Sequence, residues 1–262
     1  AAVWGNFICD VNMPCGVDCA CISSEYHKST ETWGGIRMEE AMKVTNLTRV
    51  FKGAGGEFTA LKNINLSIPA GKLTILKGRS GSGKTTLMNI LGTLDEPTSG
   101  SVMLNGMELT TLSERKREIL RRTEMGFVFQ AVSLMPTMNA YQNVEFALRM
   151  AGWRMKNKAR VEECLRMVGL GKRMKHMPAE MSGGEQQRVA IARAIAGHPK
   201  ILFADEPTAE LDSAMAAEVV ELFREITRTE GVTILMTTHD MGLMDAGDMQ
   251  IELLNGEVVC QK

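Results

Sequence analysis

No apolar run in this 262-residue chain reaches the roughly 20 residues needed to cross a bilayer. If the protein works at a membrane, a partner has to supply the span. A charge imbalance is missing as well. Thirty basic residues face 31 acidic ones, leaving a net charge of −1, so no overall field draws the chain to nucleic acid or anionic lipid. Internal repeats are absent. Cysteine is scarce over most of the length: Cys9, Cys15, Cys19 and Cys21 crowd the first segment, and only Cys164 and Cys260 follow. The crowded spacing matches no structural zinc pattern well. It reads either as a metal or disulfide cluster or as part of a segment outside the functional fold. Two isolated cysteines in the body suit a reducing compartment.

Residues 1–37 show neither a helical nor a strand period and scatter Trp4 and Trp33 among Cys, Ser, Thr and Gly. They lack the basic start and compact apolar run of a secretory signal. A new pattern opens at Met38, so Met38 or Met42 is the expected natural start, with the preceding residues expected to be dispensable.

What is present is concentrated in a few motifs. The β-rich run of residues 72–77 leads into Gly78-Arg79-Ser80-Gly81-Ser82-Gly83-Lys84-Thr85-Thr86 and then into an apolar helical stretch. Strand, glycine-rich loop and helix in this order match G-x-x-x-x-G-K-[ST]. Glycines let the backbone curl until successive N–H groups face an anion, and the helix starting at Lys84 adds its positive dipole end. Lys84 is expected to reach the β- and γ-phosphates, and Thr85 to offer its hydroxyl to Mg²⁺. Far downstream, residues 200–206 form an apolar strand that ends in Asp205 and Glu206. Continuous apolar strands belong to parallel sheets, which bind ligands at their C-terminal ends. Asp205 is therefore expected in the Mg²⁺ coordination sphere, and Glu206 as the general base for an attacking water.

The run Met181-Ser182-Gly183-Gly184-Glu185-Gln186-Gln187-Arg188 narrows the choice. Ser182 can cap the helix of residues 185–196, and the two glycines leave bare N–H groups at its start, a second anion site. With these residues the chain resembles the ABC ATPase family, whose signature differs only in having Leu where Met181 stands. That resemblance implies that the signature of one subunit closes over ATP held by the other, in a head-to-tail homodimer. It also implies roles for four further residues. Gln130 matches the glutamine that contacts Mg²⁺ and the attacking water. Asp212, after Pro207 and Thr208, matches the loop that communicates between the two sites. His239 matches the switch histidine that touches the γ-phosphate. Phe51 stands where an aromatic often stacks on adenine, although it also reads as a core residue.

The expected fold class is α/β: a P-loop NTPase core of the RecA-like kind, with an antiparallel β subdomain and an inserted helical subdomain at about residues 132–180, all within 38–262. Residues 42–68 read as antiparallel strands around a Gly-rich loop, and residues 213–228 as an amphipathic helix. Asn255-Gly256 reads as a hairpin turn near the end. Met135, Met138, Met150 and Met155 read either as an adaptable docking groove or as ordinary core substitutions. Within the family the chain looks most like the ATPases of lipoprotein-release and macrolide-export systems. The likeness implies an ATPase using ATP and Mg²⁺, coupled to a membrane-spanning permease and peripheral on the cytoplasmic face of the membrane. No nucleic-acid partner is expected. The alternative is a non-transport relative that regulates cell division or cell-wall cleavage through a permease-like partner.

Overall fold

The computed structural model describes residues 40–53, 56–153 and 158–262. The expectations for residues 1–37, for the N-terminal cysteines and for Met155 lie outside them. Two sheets organise the rest. The first is antiparallel and is built from β1 (Glu40–Gly53), β2 (Gly56–Pro69), β4 (Ser99–Leu104) and β5 (Met107–Glu108), in the order β2-β1-β4-β5. The second contains β3 (Leu73–Lys77), β6 (Met125–Val128), β7 (Ile201–Ala204), β8 (Thr233–Thr238) and the hairpin β9 (Met249–Leu254) and β10 (Glu257–Gln261). Its order is β10-β9-β3-β8-β7-β6. Strands β9, β3, β8, β7 and β6 run parallel, and only the edge strand β10 is antiparallel.

The apolar runs of β3, β7 and β8 make sense once both faces of this sheet are covered. Alternate residues point opposite ways. Leu73, Ile75, Leu202, Ala204, Ile234 and Met236 enter one core with α5 (Gly183–Ile195) and α6 (Ser213–Glu230). That core also takes in α3 (Ala140–Met150) and α4 (Lys158–Met167), the helices inserted between β6 and the signature. Leu76, Ile201, Phe203 and Leu235 enter the other core, with α1 (Lys84–Leu91), α2 (Glu114–Thr123) and the antiparallel sheet. Buried Asn143 staples the approach to α3. Its side chain donates to the carbonyls of Met135, Met138 and Asn139 and accepts from the Met135 amide. Cys164 is fully buried in the first core, and burial pushes its thiol up to about 12, so it packs rather than reacts.

A buried polar contact ties the inserted helix α4 to the ends of α5 and α6. Arg160 on α4, 7% exposed, pairs with both oxygens of Glu230 at the end of α6, each at 2.9 Å. It also donates to the Ile195 carbonyl at 3.0 Å. Burial by itself would raise the Glu230 carboxyl. The Arg160 hydrogen bonds and charge, helped by His198, outweigh burial and hold the group below its ordinary value of 4.5. The sign follows. A depressed carboxyl contributes its full stability above the ordinary carboxylate pKa and loses it as pH falls through the folded-state value. We expect Glu230→Ala to cost about 2 kcal/mol at pH 7. Fully buried pairs lose about 3–5 kcal/mol when one partner is removed, and this one is partly solvated. The difference from wild type should shrink below pH 4.5. Urea unfolding at the two pH values checks it, and an equal midpoint for both chains at pH 7 would count against the pair.

Candidate functional site at the carboxyl edge of the parallel sheet

Strands β3, β8, β7 and β6 lie side by side and parallel. The segments leaving their C-terminal ends therefore meet on one edge of the sheet, where ligands bind in such folds. From β3 comes the loop of residues 78–83, from β8 His239, from β7 Asp205 and Glu206, and from β6 Gln130. Topology thus brings together residues up to 161 positions apart in sequence, counted from Gly78 to His239.

Two glycines of the loop stand where a side chain has no room. An added Cβ at Gly78 would sit 2.4 Å from the Leu253 carbonyl and 2.5 Å from the Ser82 hydroxyl. Gly83 caps α1 with φ 104°, a conformation open to glycine, and a Cβ there would lie 2.8 Å from the Ala60 carbonyl. The loop is anchored from behind. The Ser82 amide donates to the Arg79 carbonyl, and the Gly256 amide from the β9–β10 turn donates to the Ser82 carbonyl at 3.0 Å. Arg79, Ser80, Gly81 and Thr85 are exposed, whereas Thr86 is half-buried. The buried Ser82 hydroxyl has no hydrogen-bond partner among the described residues. Lys84 is 5% exposed, and its ammonium folds back into the loop. It donates to the Gly78 carbonyl at 2.8 Å and the Arg79 carbonyl at 3.3 Å, and lies 3.5 Å from Glu206 Oε1.

The carboxylates are held with equal care. The Asp205 amide donates to the Val128 carbonyl of β6 at 2.9 Å. Glu206 takes φ 47°, a left-handed conformation that costs a non-glycine residue about 1–2 kcal/mol. Its Oε2 lies 3.2 Å from His239 Nδ1. A carboxylate only accepts, so Nδ1 carries the proton in that contact. Thr237, fully buried, donates its hydroxyl to Asp205 Oδ1 at 2.7 Å and accepts the Glu206 amide at 2.8 Å. Sequence reasoning missed Thr237. The available signal was the pair of threonines, Thr237 and Thr238, that closes the strand just before His239.

The remaining candidates stand apart from this edge or on its surface. Helix α5 begins at Gly183, two residues before the expected start, because Ser182 already closes the cap. The Ser182 hydroxyl accepts from the Glu185 amide, and the Glu185 side chain accepts from the Ser182 amide at 2.9 Å. That backbone hydrogen bond, with Arg173 nearby, keeps the Glu185 carboxyl below its ordinary value. Gly183 is exposed and has open space where a Cβ would go, whereas Gly184 faces Met215. Among the described residues, no hydrogen bond or ion pair joins this turn to the phosphate loop. Asp212 caps α6 by accepting from the Met215 amide. Gln130 is exposed beyond β6. Phe51 is 40% exposed on β1, opposite Phe58, with the Arg49 guanidinium 4.5 Å from its ring centre. It is therefore not a core residue, and one face of its ring is taken by a cation.

Comparison with known proteins bears on the whole arrangement. A family model described as ABC transporter matches residues 61–209. An uncharacterized ABC transporter ATP-binding protein of Methanocaldococcus jannaschii is 43% identical over 222 residues, 83% of this chain and 97% of its own length. The lipoprotein-releasing system ATP-binding protein LolD of Syntrophus aciditrophicus is 40% identical over 219 residues, 83% of this chain and 98% of that protein. Among solved structures, a dimeric ATP-binding cassette in a post-hydrolysis state, bound to ADP and Pi, aligns with a TM-score of 0.77. The identity is 38%, over 84% of this chain and 97% of the other.

Proposed function

The chain belongs to the family of ABC transporter ATP-binding proteins, and on that premise we propose how its residues divide the work of ATP hydrolysis. The observation that carries the proposal is the convergence of Lys84, Asp205, Glu206 and His239 on one sheet edge, beside the glycine-rich loop of residues 78–83. The triphosphate of ATP lies along the N–H groups of residues 78–86 and the start of α1. Lys84 exchanges the Gly78 and Arg79 carbonyls for phosphate oxygens. Its present ligands are neutral carbonyls and one carboxylate 3.5 Å away, so an anion entering the loop finds a cation already in place.

The donor set fits Mg²⁺. Thr85, Asp205 and Gln130 offer oxygen ligands only, the kind a hard divalent cation takes. Among the described residues, no group of three or more His, Cys, Asp or Glu could hold a metal by itself. When bound there, Mg²⁺ would supply charge neutralisation at the phosphates. Glu206 accepts the proton of the attacking water, and His239, bonded to Glu206 through Nδ1, orients the carboxylate and meets the γ-phosphate from the β8 side.

The signature turn Ser182–Glu185 serves a second copy of the chain. The capping box uses the Ser182 and Glu185 amides, which leaves those of Gly183 and Gly184 at the start of α5 to receive an anion. In a head-to-tail pair, each turn closes over the nucleotide in the loop of the other, with Asp212 near the join. No helix among the described residues is long and apolar enough to cross a membrane. By the likeness to the ATP-binding protein of a lipoprotein-releasing system, the chain passes its work to a permease and sits peripherally on the cytoplasmic face of the membrane. The likeness to a lipoprotein-releasing ATPase favours export of a lipid-linked or similarly apolar cargo.

A phosphate-release assay tests the assignment. The purified chain should hydrolyse ATP, and Lys84→Ala should weaken ATP binding about tenfold or more, the scale of a charge-assisted hydrogen bond. Unaltered ATP affinity in that variant would remove Lys84 from the site.

A further inference from the structure

We infer that Thr237 is a positioning residue for the hydrolytic centre: its single buried hydroxyl fixes the orientation of the Asp205 carboxylate and anchors the strained backbone of Glu206. The inference rests on the proposed roles of Asp205 and Glu206 and adds a residue to them.

The geometry leaves the hydroxyl no choice. An ionised carboxylate can only accept, and a backbone N–H can only donate. The proton of Thr237 Oγ1 therefore points at Asp205 Oδ1, 2.7 Å away, and its lone pair takes the Glu206 N–H at 2.8 Å. Thr237 is fully buried on β8, between β3 and β7, so bulk water does not compete for either bond. That bond pins Oδ1 and so fixes the orientation of the Asp205 carboxylate. The Asp205 amide is fixed from the other side by the Val128 carbonyl at 2.9 Å, so the residue is held by both flanking strands.

The second bond bears on Glu206. Its φ of 47° has to be held by its surroundings, and its amide has Thr237 Oγ1 as a partner inside the sheet edge. One hydroxyl thus couples the two acidic residues 32 and 31 positions away in sequence. The neighbouring threonine acts elsewhere. Thr238 Oγ1 accepts the Asp240 amide at 3.0 Å and shapes the turn that carries His239.

The test compares Thr237→Val, which keeps the shape and removes the hydroxyl, with Thr237→Ser, which keeps the hydroxyl. Partners that orient a metal ligand are typically worth about 10–100-fold in activity or metal affinity. For Thr237→Val, kcat should fall by that factor and the Mg²⁺ concentration for half-maximal turnover should rise about tenfold. Binding of a fluorescent ATP analogue in EDTA should stay within about twofold of wild type, because the phosphate loop is untouched. Thr237→Ser should stay within about threefold of wild type in every readout. Turnover of Thr237→Val near the wild-type level with unaltered Mg²⁺ dependence would overturn the inference. So would equal losses for Val and Ser, or a loss of analogue binding in EDTA as large as that with Mg²⁺. Should Thr237→Val fail to fold, Thr237→Ala against Thr237→Ser decides on the same readouts. Wild-type turnover in Glu206→Gln would instead sink the underlying assignment, whatever the Thr237 variants do.

Discussion

Glu206→Gln retains ATP and loses turnover by about a hundredfold or more, the scale of a general base removed from a hydrolytic site. The substitution keeps the shape and the left-handed backbone at φ 47°. It removes the group that can accept a proton from water. The amide oxygen can still take the His239 Nδ1 hydrogen bond now made to Oε2 at 3.2 Å. The Glu206 backbone N–H still reaches Thr237. Lys84 loses a carboxylate at 3.5 Å but keeps two carbonyl ligands, so the loop should stay folded. ATP binding should even tighten, because one negative charge facing the phosphates is gone. Phosphate release and equilibrium ATP binding, measured side by side, separate the two effects. Turnover near the wild-type rate would assign the base elsewhere.

Gly183→Asp should be as damaging to turnover, for the opposite reason: it leaves the monomer intact and spoils the pair. A Cβ at Gly183 meets nothing within 4 Å, so the new side chain fits without strain. A carboxylate in the first turn of α5 is even favourable for the helix by itself. It places a negative charge where the partner's triphosphate is to be received, however, and replaces attraction by repulsion. The loss expected is about a hundredfold or more, comparable to removing a preorganised stabiliser of developing charge. Melting temperature and ATP affinity of the single chain should not change. If both the monomer and its turnover are unaffected, the signature turn does not face phosphate. By contrast, Gly184→Ala would press on Met215 Sδ at 3.1 Å and mix a packing effect into the result.

How much of this was legible in the sequence depends on where the information lies. The phosphate loop is a local pattern: strand, glycines, lysine and helix lie within 20 residues, and each residue type has a backbone or charge reason to be there. The buried strands β3, β7 and β8 were legible because a sheet covered on both faces needs mostly apolar and β-branched residues on both sides. Helix α2 was not identified. Its sequence, ERKREILRRT, is dominated by charge and buries only Leu120, so it offers no apolar stripe wide enough to mark a helix packed on a core, although its few apolar residues do share one face. The Arg160–Glu230 pair joins residues 70 apart and leaves no trace in either local pattern. Thr237 was hidden in a different way. A threonine in a buried strand is ordinary for its β propensity, and only the register of β8 beside β7 turns its hydroxyl toward Asp205. The fold classes of the segments are written in spacing, whereas the fine placement of the acidic pair is written in which strands become neighbours.

The most direct test of a site shared between two copies is the mass of the Glu206→Gln chain in solution with nucleotide, measured by sedimentation equilibrium. With ATP and Mg²⁺ the mass should rise from 28.8 kDa to twice that value. It should stay single with ADP, and stay single with ATP when Gly183→Asp is added. A chain that binds ATP tightly and remains a monomer under all three conditions would contradict the account.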